Sequence, residues 1–244
     1  MSWGWELTAP DAKADYRGTP AGTISLPARR SFALLVDLDG TMADTVPVCV
    51  NAVRATLMRH VGKVHSDAEI LAHFGYNEEE VLRRMAPDCW QACASTYIQE
   101  YERAHDLCPD PFPGILDLLR SLRSRGIRLG LVTGKGRDTL AITFRRLGFT
   151  DLFDEVRCGS PDPKVKAKWI GELLRVFRVS GHRAAYVGDA PADIRAARSN
   201  GILALAAAWA PNVKTEPLVS EHPDALLDSV SELARWLGGW LGRD

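Results

Sequence analysis

The sequence predicts a doubly wound α/β fold, a parallel sheet covered by helices on both faces, interrupted by one inserted helical subdomain. Three observations predict it. Short, continuously apolar segments recur along the chain, as strands buried on both faces do. Stripes of apolar residues at helical spacing separate them. Between the first and second strand patterns, from about Val46 to Cys108, only helical patterns occur, over a length far beyond what a crossover needs.

In chain order, residues 1–30 hold Pro10, Gly18, Pro20, Gly22 and Pro27 and no apolar period. They are expected to form an irregular extension, with Trp3 and Trp5 as docking residues. The first strand is Phe32 to Val36 and ends at Asp37. The core is expected to span 31–45 and 111–244, and the helical insert 46–110, with Asp110-Pro111-Phe112-Pro113-Gly114 as the return hinge. Ile115, Leu118, Leu119 and Leu122 then form a helical stripe that Gly126 stops. Leu129 to Val132 reads as the second strand. Leu140, Phe144 and Leu147 form a stripe closed by Gly148, and a weaker strand follows over Phe153 to Cys158. Trp169, Leu173 and Phe177 make the next helix, Ala184 to Val187 and Ile202 to Leu205 the remaining strands. Val230, Leu233, Ala234 and Leu237 form the terminal helix.

Composition narrows the function. Over 244 residues, 46% hydrophobic and 25% charged, the chain is long enough to bury a core without staples. The net charge of −1 and the lack of a basic run argue against a nucleic-acid or anionic-lipid partner. The longest apolar run, Ile202 to Ala210, is too short to span a membrane, and no secretory signal pattern opens the chain. The five scattered cysteines read as reduced thiols of a cytoplasmic protein, Cys89 and Cys93 included, since no second pair completes a metal site. The six histidines show no ligand spacing. Gly134-Lys135 is not a P-loop, because Leu129 and Gly136 stand where that motif needs glycine and Ser or Thr, and no dinucleotide fingerprint follows the first strand.

In an open α/β sheet, ligands gather beyond the carboxyl ends of the strands. After the first strand come Asp37-Leu38-Asp39-Gly40-Thr41, after the second Thr133-Gly134-Lys135, and after the fourth Gly188-Asp189-Ala190-Pro191-Ala192-Asp193. Pro163-Lys164-Val165-Lys166 precedes the third helical stripe. Four carboxylates brought to one edge repel unless a divalent cation and a lysine offset them. Hard oxygen donors suit Mg²⁺, which bridges carboxylates to a phosphate. Asp37 and Asp39, two apart, can face the same side, one to attack phosphorus and the other to give and take a proton. Thr133 and the Gly134 amide offer donors for a phosphate oxygen.

These four segments resemble, in order, the motifs of the haloacid dehalogenase superfamily, and the resemblance spans about residues 32–240. The helical insert resembles the cap of the phosphoglycolate phosphatase-like branch. The resemblance implies a Rossmann-like core with a helical cap. It implies Asp37 as nucleophile, forming an aspartyl-phosphate, and Asp39 as general acid/base. Asp37, Asp39 (through its backbone carbonyl), Asp189 and Asp193 would hold Mg²⁺, Asp193 directly or through water. Thr133 and Gly134 would bind the phosphoryl group, and Gly75 and Tyr76 would reach the substrate from the cap loop. The third motif usually reads Lys-Pro. Here Lys164 precedes Val165, and Lys166 follows; Lys164 is taken as the active-site lysine, with Lys166 as the alternative.

Asp39 bears on which chemistry follows. Halide-displacing and phosphonatase-like members lack an acid at this position, whereas an alkoxide leaving group needs a proton donor. The expected function is Mg²⁺-dependent hydrolysis of a small phosphorylated metabolite by a monomer or homodimer. A sugar phosphomutase of the same family, or a catalytically silent phospho-ligand-binding relative, is the alternative. Arg83 and Arg84 are read as a solvated helix face, with a substrate carboxylate as their other possible partner.

Overall fold

The computed structural model describes residues 32–242. The expected extension over 1–30, with Trp3 and Trp5, lies outside the described residues. Six strands, β1 (Ala33–Val36), β2 (Arg128–Val132), β3 (Glu155–Arg157), β4 (Ala184–Gly188), β5 (Leu203–Ala207) and β6 (Ala225–Leu227), form one sheet in the order β3-β2-β1-β4-β5-β6. Every pairing is parallel. The predicted doubly wound α/β class is therefore observed. β6, three residues long, carries too short an apolar run to be read from the sequence.

Alternation along β1 divides the core between the two faces. Leu34 and Val36 join one apolar cluster with Leu129, Leu131 and Val187, while Ala33 and Leu35 join the other with Leu173 and Tyr186. The helices α5 (Ile115–Ser124), α6 (Arg137–Leu147), α7 (Val165–Phe177), α8 (Pro191–Ser199), α9 (Thr215–Ser220) and α10 (Val230–Leu241) complete the layers, and four helices precede them in the chain. Those are α1 (Val46–Val61), α2 (Asp67–Leu71), α3 (Glu78–Met85) and α4 (Trp90–Ala104), which occupy the chain between β1 and β2.

Local signals explain where the inserted helices begin and end. Gly62 closes α1 in the left-handed conformation, at φ 71°. Ser66 and Glu69 form a capping box on α2, and the Asn77 side chain accepts from the Glu80 N–H to cap α3. α1 packs along α4, and their buried faces, with Val48, Val53, Tyr97 and Tyr101, are continuous with the first core cluster. The chain leaves and re-enters the sheet side by side: the Phe112 N–H donates to Met42 O at 2.9 Å.

The strand order positions the site. β1 pairs with β2 on one side and β4 on the other, so the connections leave β1 and β4 in opposite directions and open a crevice at their carboxyl ends. The Asp37 N–H still pairs with Val187 O at 2.9 Å, holding the first residue beyond β1 against β4.

Candidate active site

Three carboxylates meet at this crevice. Asp37 follows β1, Asp189 follows β4, and Asp193 sits in the first turn of α8; one oxygen from each lies within 4.8 Å of the others. Asp193 is fully buried and Asp37 nearly so. Lys166 Nζ bonds Asp37 Oδ2 at 2.6 Å and Asp193 Oδ1 at 2.7 Å. The Tyr186 hydroxyl donates to Val132 O at 2.9 Å and lies 3.2 Å from Asp193 Oδ1, and the Ala190 N–H donates to Asp193 Oδ2 at 3.1 Å. Asp193 is thus held through both oxygens by protein donors, Lys166 among them.

The electrostatics call for a cation. Three carboxylates against one ammonium leave two negative charges uncompensated. Burial, together with the neighbouring Asp193, raises the Asp37 carboxyl to about 6 although Lys166 opposes the rise. Burial, then Asp37 and Asp193, push Asp189 well above the ordinary carboxylate range. Burial works against the Lys166 ammonium, but Asp193 and Asp37 outweigh it and keep it protonated. Hard oxygen donors with two net negative charges fit a divalent metal ion. Among the described residues this is the one group of three or more ligand-type side chains close enough to share a metal.

Asp39 faces elsewhere. Its Oδ1 accepts from Thr45 Oγ1 and lies 3.0 Å from Lys135 Nζ. Lys135 is buried, and its ammonium also lies 3.3 Å from Cys49 Sγ, 3.9 Å from Glu78 Oε1 and 4.6 Å from the centre of the Tyr101 ring. Burial pushes the Cys49 thiol up to about 12, so it stays protonated. Thr133 is buried at the end of β2, where its Oγ1 accepts from the Lys135 N–H at 3.3 Å. A cavity of about 370 Å³ joins these groups, lined by Asp37, Asp39, Thr133, Gly134, Lys135, Lys166 and Asp189 from the sheet side. Gly75 and Tyr76 line it from the insert.

The lysine expectation is corrected. Lys164 is the N-cap residue of α7 and is exposed, whereas Lys166 lies inside the first turn. Side chains there lean back toward the helix N-terminus, which carries Lys166 over the strand ends. Of the four carboxylates expected at this edge, Asp37, Asp189 and Asp193 form the close group, while Asp39 lines the same cavity with its side chain held by Lys135 and Thr45. Arg83 and Arg84 pair with Glu79 and Glu80 and stack on Trp90 and Tyr76, in keeping with a surface helix face. Sequence reasoning missed Glu78, whose carboxylate accepts from the Gly136 N–H and Thr139 Oγ1, both at 2.5 Å, and so caps α6 from the insert. The missing signal was on α6 itself: Gly136 at its N-cap has no side chain to do this. Tyr186 was also missed, although a lone tyrosine in an aliphatic strand needs a hydroxyl partner.

Comparison with known proteins identifies the family. The sequence model of haloacid dehalogenase-like hydrolases matches residues 34–207. A phosphoglycolate phosphatase of Synechococcus elongatus is 31% identical, covering 82% of this chain and 94% of its own. A pyrophosphatase PpaX of Bacillus pumilus is 29% identical over 84% of this chain and 95% of its own. A haloacid dehalogenase-like hydrolase structure from Streptococcus pneumoniae superposes with a TM-score of 0.69 at 24% identity, covering 85% of this chain and 99% of that one, and shares the fold. The chain belongs to the haloacid dehalogenase-like hydrolase family.

Proposed function

We propose that this haloacid dehalogenase-like hydrolase is a Mg²⁺-dependent phosphatase that releases phosphate from a small phosphorylated metabolite through an aspartyl-phosphate on Asp37. The observation that carries the reading is the Asp37 carboxylate, paired with Lys166 and adjoining Asp189 at the mouth of β1 and β4. The names of the curated relatives, a phosphoglycolate phosphatase and a pyrophosphatase, support phosphate release as the outcome.

Asp37 and Asp189 would hold Mg²⁺ with the Asp39 backbone carbonyl, and Asp193 would act through water or through Lys166. The ion would supply charge neutralisation between the carboxylates and the phosphate oxygens. An oxygen of Asp37 attacks phosphorus as the bond to the leaving oxygen breaks, and protonated Asp39 gives that oxygen its proton. Lys166 neutralises the nucleophile and the phosphoryl group. The Thr133 hydroxyl and the Gly134 N–H bind phosphoryl oxygens. Asp39, now a carboxylate, takes a proton from water as the water oxygen attacks phosphorus. The bond to Asp37 breaks, and phosphate leaves with both carboxyls restored. Positioning and neutralisation of this kind are most of what phosphoryl transfer asks of a protein.

The helices of residues 46–110 serve in this reading as a cap over the cavity, and Gly75 and Tyr76 contact the substrate from it. A steady-state assay of phosphate release with Mg²⁺, then with chelator, tests the proposal. Release that is lost in chelator, restored by Mg²⁺ and abolished in Asp37→Asn supports it. A phosphorylated product isomeric with the substrate, without release, would mean a mutase.

A further inference from the structure

We infer that the leaving-group half of the cavity takes an uncharged, largely apolar alcohol, so that the substrate is the monophosphate ester of such an alcohol and not a phosphorylated acid or a diphosphate. The inference rests on the phosphatase reading and deepens it.

Apart from Glu78, whose carboxylate faces Lys135, the wall contributed by the insert is largely apolar. Val46, Val53, Phe74, Tyr76, Val81 and Tyr97 line it. Carbon buried against such a surface is favoured, and a charge is penalised unless an opposite charge meets it. Among the described residues, every cation lining the cavity already has a carboxylate partner. Lys166 holds Asp37 and Asp193, Lys135 holds Asp39 and Glu78, and Arg195 is paired with Glu221. Arg83 and Arg84, the other cations near the insert's loop, are engaged by glutamates of their own helix.

The local charge points the same way. The Lys135 ammonium is shared between the carboxyl groups of Asp39 and Glu78, so it has no charge to spare for a leaving group. A carboxylate or second phosphate on the leaving group would be placed in a region of low dielectric with no unpaired cation to meet it. The Tyr97 side chain lines this wall, and its hydroxyl is buried without a hydrogen-bond partner among the described residues.

The test compares esters whose leaving alcohols differ by one charge. The full-length enzyme with Mg²⁺ is assayed for phosphate release from benzyl phosphate, 4-(hydroxymethyl)benzyl phosphate and 4-carboxybenzyl phosphate, beside phosphoglycolate and inorganic pyrophosphate. The two neutral esters are expected to exceed the carboxylate ester in kcat/KM by about tenfold or more. Glu78→Gln keeps an acceptor for Gly136 and removes one charge; it is expected to narrow that ratio by roughly threefold. Equal turnover of the neutral and charged esters, or a preference for phosphoglycolate or pyrophosphate, would overturn the inference while leaving the phosphatase reading in place. An equal loss on both kinds of ester in Glu78→Gln would overturn the part played by charge. Release from none of the five would overturn the phosphatase reading and this inference with it.

Discussion

Gly40 stands so close to Asp189 that a Cβ on residue 40 would overlap the Asp189 carboxylate. Its φ of 74° lies in the left-handed region, which side chains other than glycine adopt at a cost. The turn after β1 therefore folds onto the residue after β4 and fixes one carboxylate beside the other. Gly40→Ala is expected to displace Asp189 and weaken Mg²⁺ binding by roughly tenfold or more, as losses around a metal site do. Isothermal titration with Mg²⁺, with circular dichroism as a check on folding, measures it. Unchanged affinity would contradict the placement of Asp189.

The two lysines before and within α7 separate cleanly. Lys166→Ala removes the one ammonium that Asp37 and Asp193 share, and kcat is expected to fall about a hundredfold or more. Lys164→Ala removes an exposed side chain at the helix cap and is expected to stay within about twofold of the parent enzyme. Steady-state kinetics on one aryl phosphate distinguishes them, and the reverse order would return the role to Lys164.

Stability of the metal-free protein should depend on pH through Asp37. Its carboxyl titrates near 6 when folded and near the ordinary 3.8 when unfolded. Between those values the folded state holds more protons, so this group's contribution falls as pH rises through the window. Asp37→Asn cannot ionise and escapes that loss. In chelator it is expected to melt higher than the parent at pH 7 by roughly 2–4 °C for each kcal/mol relieved, with the gap closing toward pH 4. Thermal melts at the two pH values check the sign. Mg²⁺ should raise the melting temperature of the parent more at pH 7 than at pH 5, since it replaces the proton.

Glu78 ties the insert to the core by capping α6 through Gly136 and Thr139. Glu78→Ala leaves those donors without their acceptor. It is expected to cost about 1–2 kcal/mol, the usual loss of a good cap. Hydrogen exchange should quicken at the Gly136 N–H and the first turn of α6. Exchange unchanged there would show that water replaces the cap at no cost.

Much of the layout was open to reading from the residues in line. Strands buried on both faces are unbroken apolar runs, so Phe32 to Val36, Leu129 to Val132 and Ala184 to Val187 stood out, and the acidic residues beyond the first and third of these marked the sheet edge. β6 escaped because three residues carry no period, and Glu78 because its partners lie 58 and 61 positions away.

The motifs and their order suffice for the family resemblance and for an acidic edge that wants a divalent ion, because both depend on residue types at strand ends, a local property. Which lysine reaches Asp37, that Asp39 turns toward Lys135, and that the insert lays an apolar wall over the cavity depend on distances across the chain. Helix direction at α7 and the packing of α1 and α4 settle those, since a side chain's neighbours in space are set by packing and not by its neighbours in sequence.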